Sequence, residues 1–238
     1  MATKHIKAGF DFFQTVGDAV FTFPTAFAIP ENFFHDGSPR FTGTIPFVGY
    51  PIREFAHPHS KKKHKSGAAD TVVHRTQDVT ITSVPGSGTT KIELVHLLLK
   101  SRSPIEVPAA RGGVHLWDVQ ISLSPSKAST GTMTITQTSA TGGHFTSALD
   151  VWPVLRFERQ FDGQVRHLDM GSLPIPDEKR DLVARLNNLQ ASDVTWEDSP
   201  IVDEEGADIA VLTGNFRIPL PIVHVGPHPV IKQVGTQQ

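Results

Sequence analysis

Val114-His115-Leu116-Trp117-Asp118-Val119-Gln120-Ile121-Ser122-Leu123-Ser124 decides the fold class, because its apolar residues recur at every second position. Trp117, Val119, Ile121 and Leu123 fall on one side; Asp118, Gln120, Ser122 and Ser124 fall on the other. Successive side chains of a strand point to opposite faces, so this stretch reads as a strand with one buried face. After a Pro-Ser-Lys-Ala-Ser turn, Gly131-Thr132-Met133-Thr134-Ile135-Thr136-Gln137-Thr138 repeats the pattern, with Met133 and Ile135 inward and threonines outward. A Gly142-Gly143 break leads to a third run, in which Leu155 and Phe157 share one face and Arg156 and Glu158 the other. Asp162-Gly163 then signals a hairpin, since such turns need positive φ. Together these runs predict a β-meander from Val114 to Gly171. A two-residue loop would pair Phe157 with Leu168 and Glu158 with His167, but it would also set Arg159 against Arg166. A longer loop would shift that register.

The remaining composition agrees with a β-rich chain. Eighteen prolines and nineteen glycines in 238 residues punctuate short apolar runs, as in sandwiches and barrels. The expected fold is an all-β antiparallel sandwich, jelly-roll or immunoglobulin-like, with one short helix near residues 177–189. That helix rests on Leu182, Val183, Leu186 and Leu189 at helical spacing behind Pro176-Asp177-Glu178. Residues 1–171 form the expected β core, and 172–238 add the helix, an acidic loop and a C-terminal strand or strap on the same domain. Ile92 to Leu99 is apolar on both sides and reads as a central strand, in which His96 is expected as a hydrogen-bonded core residue.

Charge and motifs remove several function classes. Twenty-two basic residues nearly balance twenty-four acidic ones, so the whole molecule has no electrostatic preference for nucleic acid. No apolar run is long enough to span a bilayer, and the start of the chain lacks the apolar core of a signal peptide. With no cysteine there is no disulfide, thiolate nucleophile or cysteine zinc site. Gly86-Ser87-Gly88 and the residues after it match neither a phosphate loop nor a nucleophile elbow.

Candidate contact and ligand residues lie elsewhere. Residues 9–55 hold eleven of the fifteen phenylalanines. Phe10, Phe12, Phe21 and Phe23 sit at strand spacing, either as core or as an apolar face that docks on another subunit. The proline-broken tail carries Val223, Val225 and Val230, which could add to another subunit's sheet edge or strap its own domain. His57, His59 and His64 flank a lysine run and could capture a divalent metal, although the lysines repel a cation. Asp203, Glu205 and Asp208 surround Gly206 and could hold calcium, the alternative being a solvated acidic loop.

One resemblance can be given. Ile29-Pro30-Glu31-Asn32-Phe33-Phe34 with Asp36-Gly37-Ser38, Phe41-Thr42-Gly43-Thr44-Ile45-Pro46, Asp70-Thr71-Val72-Val73, Trp117-Asp118-Val119, Gly131-Thr132-Met133-Thr134-Ile135 and Leu168-Asp169 resemble uncharacterised β-rich bacterial proteins, many of them exported. The likeness covers about residues 29–171. It implies an extracellular or cell-surface setting and carries no catalytic residue.

The expectation is therefore a structural or assembly protein that self-associates into a homo-oligomer or filament, with no catalysis and no cofactor. Opposite charges at residues 61–65 and 193–208 suit head-to-tail contact between copies. The alternatives are a metal-binding enzyme built on a histidine cluster and a carbohydrate-binding module. The latter would have Tyr50, Trp152 and Trp196 as sugar platforms.

Overall fold

The computed structural model describes residues 4–6, 8–16, 19–23, 25, 28–56, 63–138, 143–172, 189–195, 200–202, 208–210, 213–217 and 230–233. Among them the chain is antiparallel β almost throughout, as expected. Two sheets dominate. Eight strands close into a ring in the order β13 (Ser129–Gln137), β14 (Gly143–Leu149), β17 (Leu189–Thr195), β20 (Thr213–Arg217), β21 (Val230–Gln233), β2 (Gly9–Val16), β7 (Thr71–Arg75) and β9 (Gly86–Leu97). The second sheet runs β16 (Val165–Asp169), β15 (Pro153–Arg159), β12 (Val114–Leu123), β10 (Leu99–Ser101), β4 (Gly43–Gly49) and β3 (Ala19–Phe23), with β11 (Ile105–Pro108) also paired to β12. Three two-stranded ribbons complete the description: β1 (Lys4–Ile6) with β8 (Val79–Ile81), β5 (Arg53–Ala56) with β6 (Lys63–Gly67), and β18 (Pro200–Val202) with β19 (Asp208–Ala210).

A single apolar core joins the two large sheets. Phe13, Val73, Ile92, Met133, Ile135 and Phe145 enter it from the ring; Phe21, Phe23, Phe47, Trp117, Val119, Ile121, Leu155 and Phe157 enter it from the second sheet. The alternation read in Val114–Ser124 is thus the true inward face. The predicted meander is not. β12 pairs with β15, whereas β13 pairs with β9 and β14 in the ring. Residues 124–128 carry the chain from one sheet to the other, and β15 returns to the first. Alternation specifies which side of a strand is buried, and both sheets bury their inner side against the same core.

The β15–β16 hairpin resolves the arginine conflict by changing register. Leu155 faces Leu168 and Phe157 faces Arg166, a two-residue slip from the pairing a two-residue loop would impose. The slip preserves sidedness, as a shift by two must. Arg159 instead closes the turn: its Nε and Nη2 donate to the Asp162 carboxylate at 2.8 and 2.6 Å, and Arg166 Nε donates to the Phe33 carbonyl at 2.9 Å. Gly163 supplies the positive φ of 70° that the turn requires.

The run Ile92–Leu99 is also more than one strand. β9 ends at Leu97 and β10 starts at Leu99, in the other sheet. The expected helix over 177–189 lies outside the described residues except for Leu189, which opens strand β17. Residues 29–41 fold as a loop that closes one end of the core. Ile29 bridges Phe41, Gly37 N donates to Asn32 Oδ1 at 2.7 Å, and Phe34 is fully buried against Trp117 and Phe157, with ring centroids 5.3 Å from each.

Candidate interaction surfaces

The outward face of β12 begins with Val114 and Leu116, both exposed, because the inward positions are taken by Trp117 and its successors. Gln160, at the end of β15, donates its backbone N–H to the Leu116 carbonyl at 2.9 Å and its side-chain amide to Asp118 at 3.1 and 3.2 Å. The next residue, Phe161, follows in the turn that joins β15 to β16. It is 82% exposed. The Arg159 guanidinium holds the Asp162 carboxyl down at about 2, so the turn keeps its ion pair at any physiological pH. Val114, Leu116 and Phe161 thus leave three large apolar side chains exposed at the same end of the second sheet. Glu106, opposite Leu116 on β11, and the exposed Arg111 and Asp118 give it a rim of both signs.

A second apolar surface lies on the outer wall of the ring, and here the chain covers itself. Phe10 and Phe12 of β2, Val72 and His74 of β7, and Val95 and His96 of β9 point away from the main core, and Phe55 of β5 packs over them. Phe10 stacks on His74 with centroids 4.7 Å apart and meets Phe55 edge-on at 5.2 Å. His96 meets Phe55 at 5.1 Å and hydrogen-bonds to the Ala56 backbone. Burial pushes the His96 pKa below the ordinary histidine value, while that hydrogen bond pulls the other way. A register irregularity between Val72 and Val73 opposite β9 offsets the pairing, so that His96 faces out and Leu97 faces in.

The aromatic interface residues resolve individually. Phe21 and Phe23 lie at 1% exposure in the main core and Phe12 is buried under Phe55, so none of the three offers surface to a partner. Phe10 is part-buried in the outer cluster. Val223 and Val225 lie outside the described residues. Val230 opens β21, whose strand neighbours are β2 and β20 of the same chain, so strand addition to another subunit has no free edge there.

Of the candidate metal ligands, His57 and His59 lie outside the described residues, and His64 sits in β6 opposite Phe55. Asp203 and Glu205 also lie outside them, and Asp208 opens β19 opposite Val202. Among the described residues no three metal-ligating side chains gather. The sugar platforms are occupied by ammonium groups: Lys127 Nζ stands 3.3 Å from the Trp152 ring centre and Lys100 Nζ 3.7 Å from that of Tyr50. Trp196 lies outside the described residues. No described helix is long and apolar enough to cross a membrane.

Two buried acids, neither evident in the sequence, hold the frame. Asp11 shares the inward face of β2 with Phe13, and Arg75 shares that of β7 with Val73. Their side chains are fully buried and Arg75 Nε donates to Asp11 Oδ2 at 2.8 Å, leaving Asp11 Oδ1 without a hydrogen bond. Burial pushes the Asp11 carboxyl up and the Arg75 charge opposes it. The signal available in sequence was a charge at an inward position of two strand-like runs.

Asp70 sits where ring and second sheet meet. Thr15 N, Thr15 Oγ1 and Thr71 Oγ1 donate to its carboxylate at 2.7, 3.1 and 2.8 Å, and Leu98 N donates to its backbone carbonyl at 2.8 Å. A Cβ at Gly49 of β4 would overlap the carboxylate, so only glycine fits there. Burial raises the Asp70 pKa to about 6 against these donors. An acid whose folded pKa exceeds its unfolded value of 3.8 holds its proton more tightly when folded, so stability falls as pH rises from 3.8 through 6. Raising the carboxyl from 3.8 to about 6 corresponds to about 3 kcal/mol. Urea unfolding of wild type and Asp70→Asn should show their stability difference moving by about that amount against wild type between pH ~4 and pH ~7. A constant difference would refute the assignment.

No protein family, curated protein or solved structure matches this chain.

Proposed function

We propose that the chain is a structural β-framework protein that self-associates, with contact and not catalysis as its purpose. The observation that carries this reading is the exposure of three large apolar side chains, Val114, Leu116 and Phe161, at one end of the second sheet. Interfaces place aromatic and aliphatic groups at the centre and polar groups at the rim, and here Glu106, Arg111 and Asp118 supply the rim. A rim of both signs is self-complementary across a two-fold axis, where Arg111 of one copy can meet acids of the other. The partner is accordingly a second copy of the chain.

Sedimentation equilibrium tests this directly. Wild type should associate reversibly, and Phe161→Ser with Leu116→Ser should weaken association by at least about tenfold, because each removes one to two kcal/mol of apolar burial or more. Their melting temperatures should stay close to wild type, since the replaced side chains are exposed. A wild-type protein that remains monomeric at high concentration would overturn the proposal.

A further inference from the structure

The β5–β6 ribbon belongs to neither large sheet. Ile52 N donates to the Ala69 carbonyl at 2.8 Å across the base of the ribbon, and the ribbon is held to the ring by the seating of Phe55 on the outer aromatic cluster and by the His96–Ala56 hydrogen bond. A two-stranded ribbon is marginal on its own, so its place depends on that seat. The seat contains imidazoles, which gain a charge within the physiological pH range.

We infer that the β5–β6 ribbon is an acid-released strap, and that His96 is the group whose protonation lifts it from the outer wall of the ring. His96 is half-buried between the ribbon and the wall, against the Phe55 ring. A charge placed there forfeits hydration that it regains only when the ribbon moves away. His74 is a poorer trigger. It stacks on the face of Phe10, a contact that an imidazolium retains.

The groups that shift His96 are its burial and the Ala56 backbone. On the ribbon, Glu54 is exposed and paired with Lys63 at 2.9 Å, and Arg53 is exposed. On β9, Glu93 lies three residues from His96 and pairs across with His74. On β2 the single acid, Asp11, points inward to Arg75. The lowered His96 pKa agrees in direction with this arrangement.

A group whose docked pKa is depressed favours docking at high pH and weakens it as pH falls below the ordinary value of 6.5. Release uncovers Phe10, Phe12 and Phe55, an apolar surface separate from the one at Phe161.

Amide hydrogen exchange on the full chain, corrected for intrinsic pH dependence, tests the strap. Between pH ~7.5 and pH ~5, protection of amides in β5 and β6 should fall by up to about tenfold per pH unit below 6.5, while central amides of β12 and β13 hold theirs. His96→Phe and His96→Gln should each abolish the pH dependence in the ribbon, and His74→Gln should leave it intact. Unchanged ribbon protection across this range, or an acid response that survives both His96 substitutions, would overturn the inference. The readout is local to one molecule, so it stands whether or not the chain self-associates.

Discussion

Arg75→Met is expected to lower the stability of the fold by about 3–5 kcal/mol, the usual cost of removing one partner of a buried ion pair. The magnitude follows from what remains. Asp11 would keep a fully buried carboxylate with one oxygen already lacking a partner, and lose the guanidinium 2.8 Å from the other. Burial already raises the Asp11 pKa against the opposing charge of Arg75, so removing that charge raises it further. The variant should therefore recover part of its deficit on acidification, where a neutral acid is tolerated. Asp11→Leu combined with Arg75→Met should restore most of the loss, since replacing both partners by apolar groups leaves no orphaned charge. Chemical denaturation of the single and double variants measures all three expectations. A single variant within about 1 kcal/mol of wild type would show that the pair is not holding the wall of the ring.

Phe34→Ala should cost a comparable 3–5 kcal/mol, although Phe34 belongs to a loop. Its ring is wholly buried against Trp117, Phe157, Phe33 and Phe41, so truncation leaves a cavity in the middle of the aromatic core. The surroundings have little freedom to collapse. Ser38 Oγ accepts from Phe34 N at 3.3 Å, and Asn32 and Gly37, at φ of 62° and 78°, are locked by the bond from Gly37 N to Asn32 Oδ1. Phe34→Leu should lose much less, because it refills most of the space. Equal losses for leucine and alanine, seen in urea titrations, would mean that the loop and not the ring volume is being measured.

What could be read from the chain and what could not separate along one physical line. The buried side of each strand was legible: Trp117, Val119, Ile121, Met133, Ile135, Leu155 and Phe157 are all inward. Strand partners were not, because period two says nothing about which neighbour a strand takes. So the run that opens at Gly131, expected to continue from β12, belongs to β13, which pairs with β9 and β14 instead. The arginine clash at Arg159 and Arg166 did carry register information, and the hairpin slips by two residues as that clash demanded.

At the candidate surfaces, the phenylalanine cluster was visible in composition, but its division into core at Phe21 and Phe23 and outer wall at Phe10 and Phe55 depends on folding. His96, read as a hydrogen-bonded core residue, does hydrogen-bond, but at the outer wall under the ribbon. Phe161 gave no signal at all. A lone phenylalanine before Asp-Gly looks the same whether it turns in or out.

Ring closure has a consequence for how the protein comes into being. Phe13 pairs with Gln233, more than two hundred positions away along the chain. Non-local pairing is slow, since the entropy of bringing such distant segments together is lost before any contact rewards it. Until that last seam forms, β2 and β20 each present an open edge that could recruit strands from neighbouring molecules. Removing β21 should therefore convert a closed ring into a sticky sheet, and the interval before β21 is made should be the most aggregation-prone stage of its production.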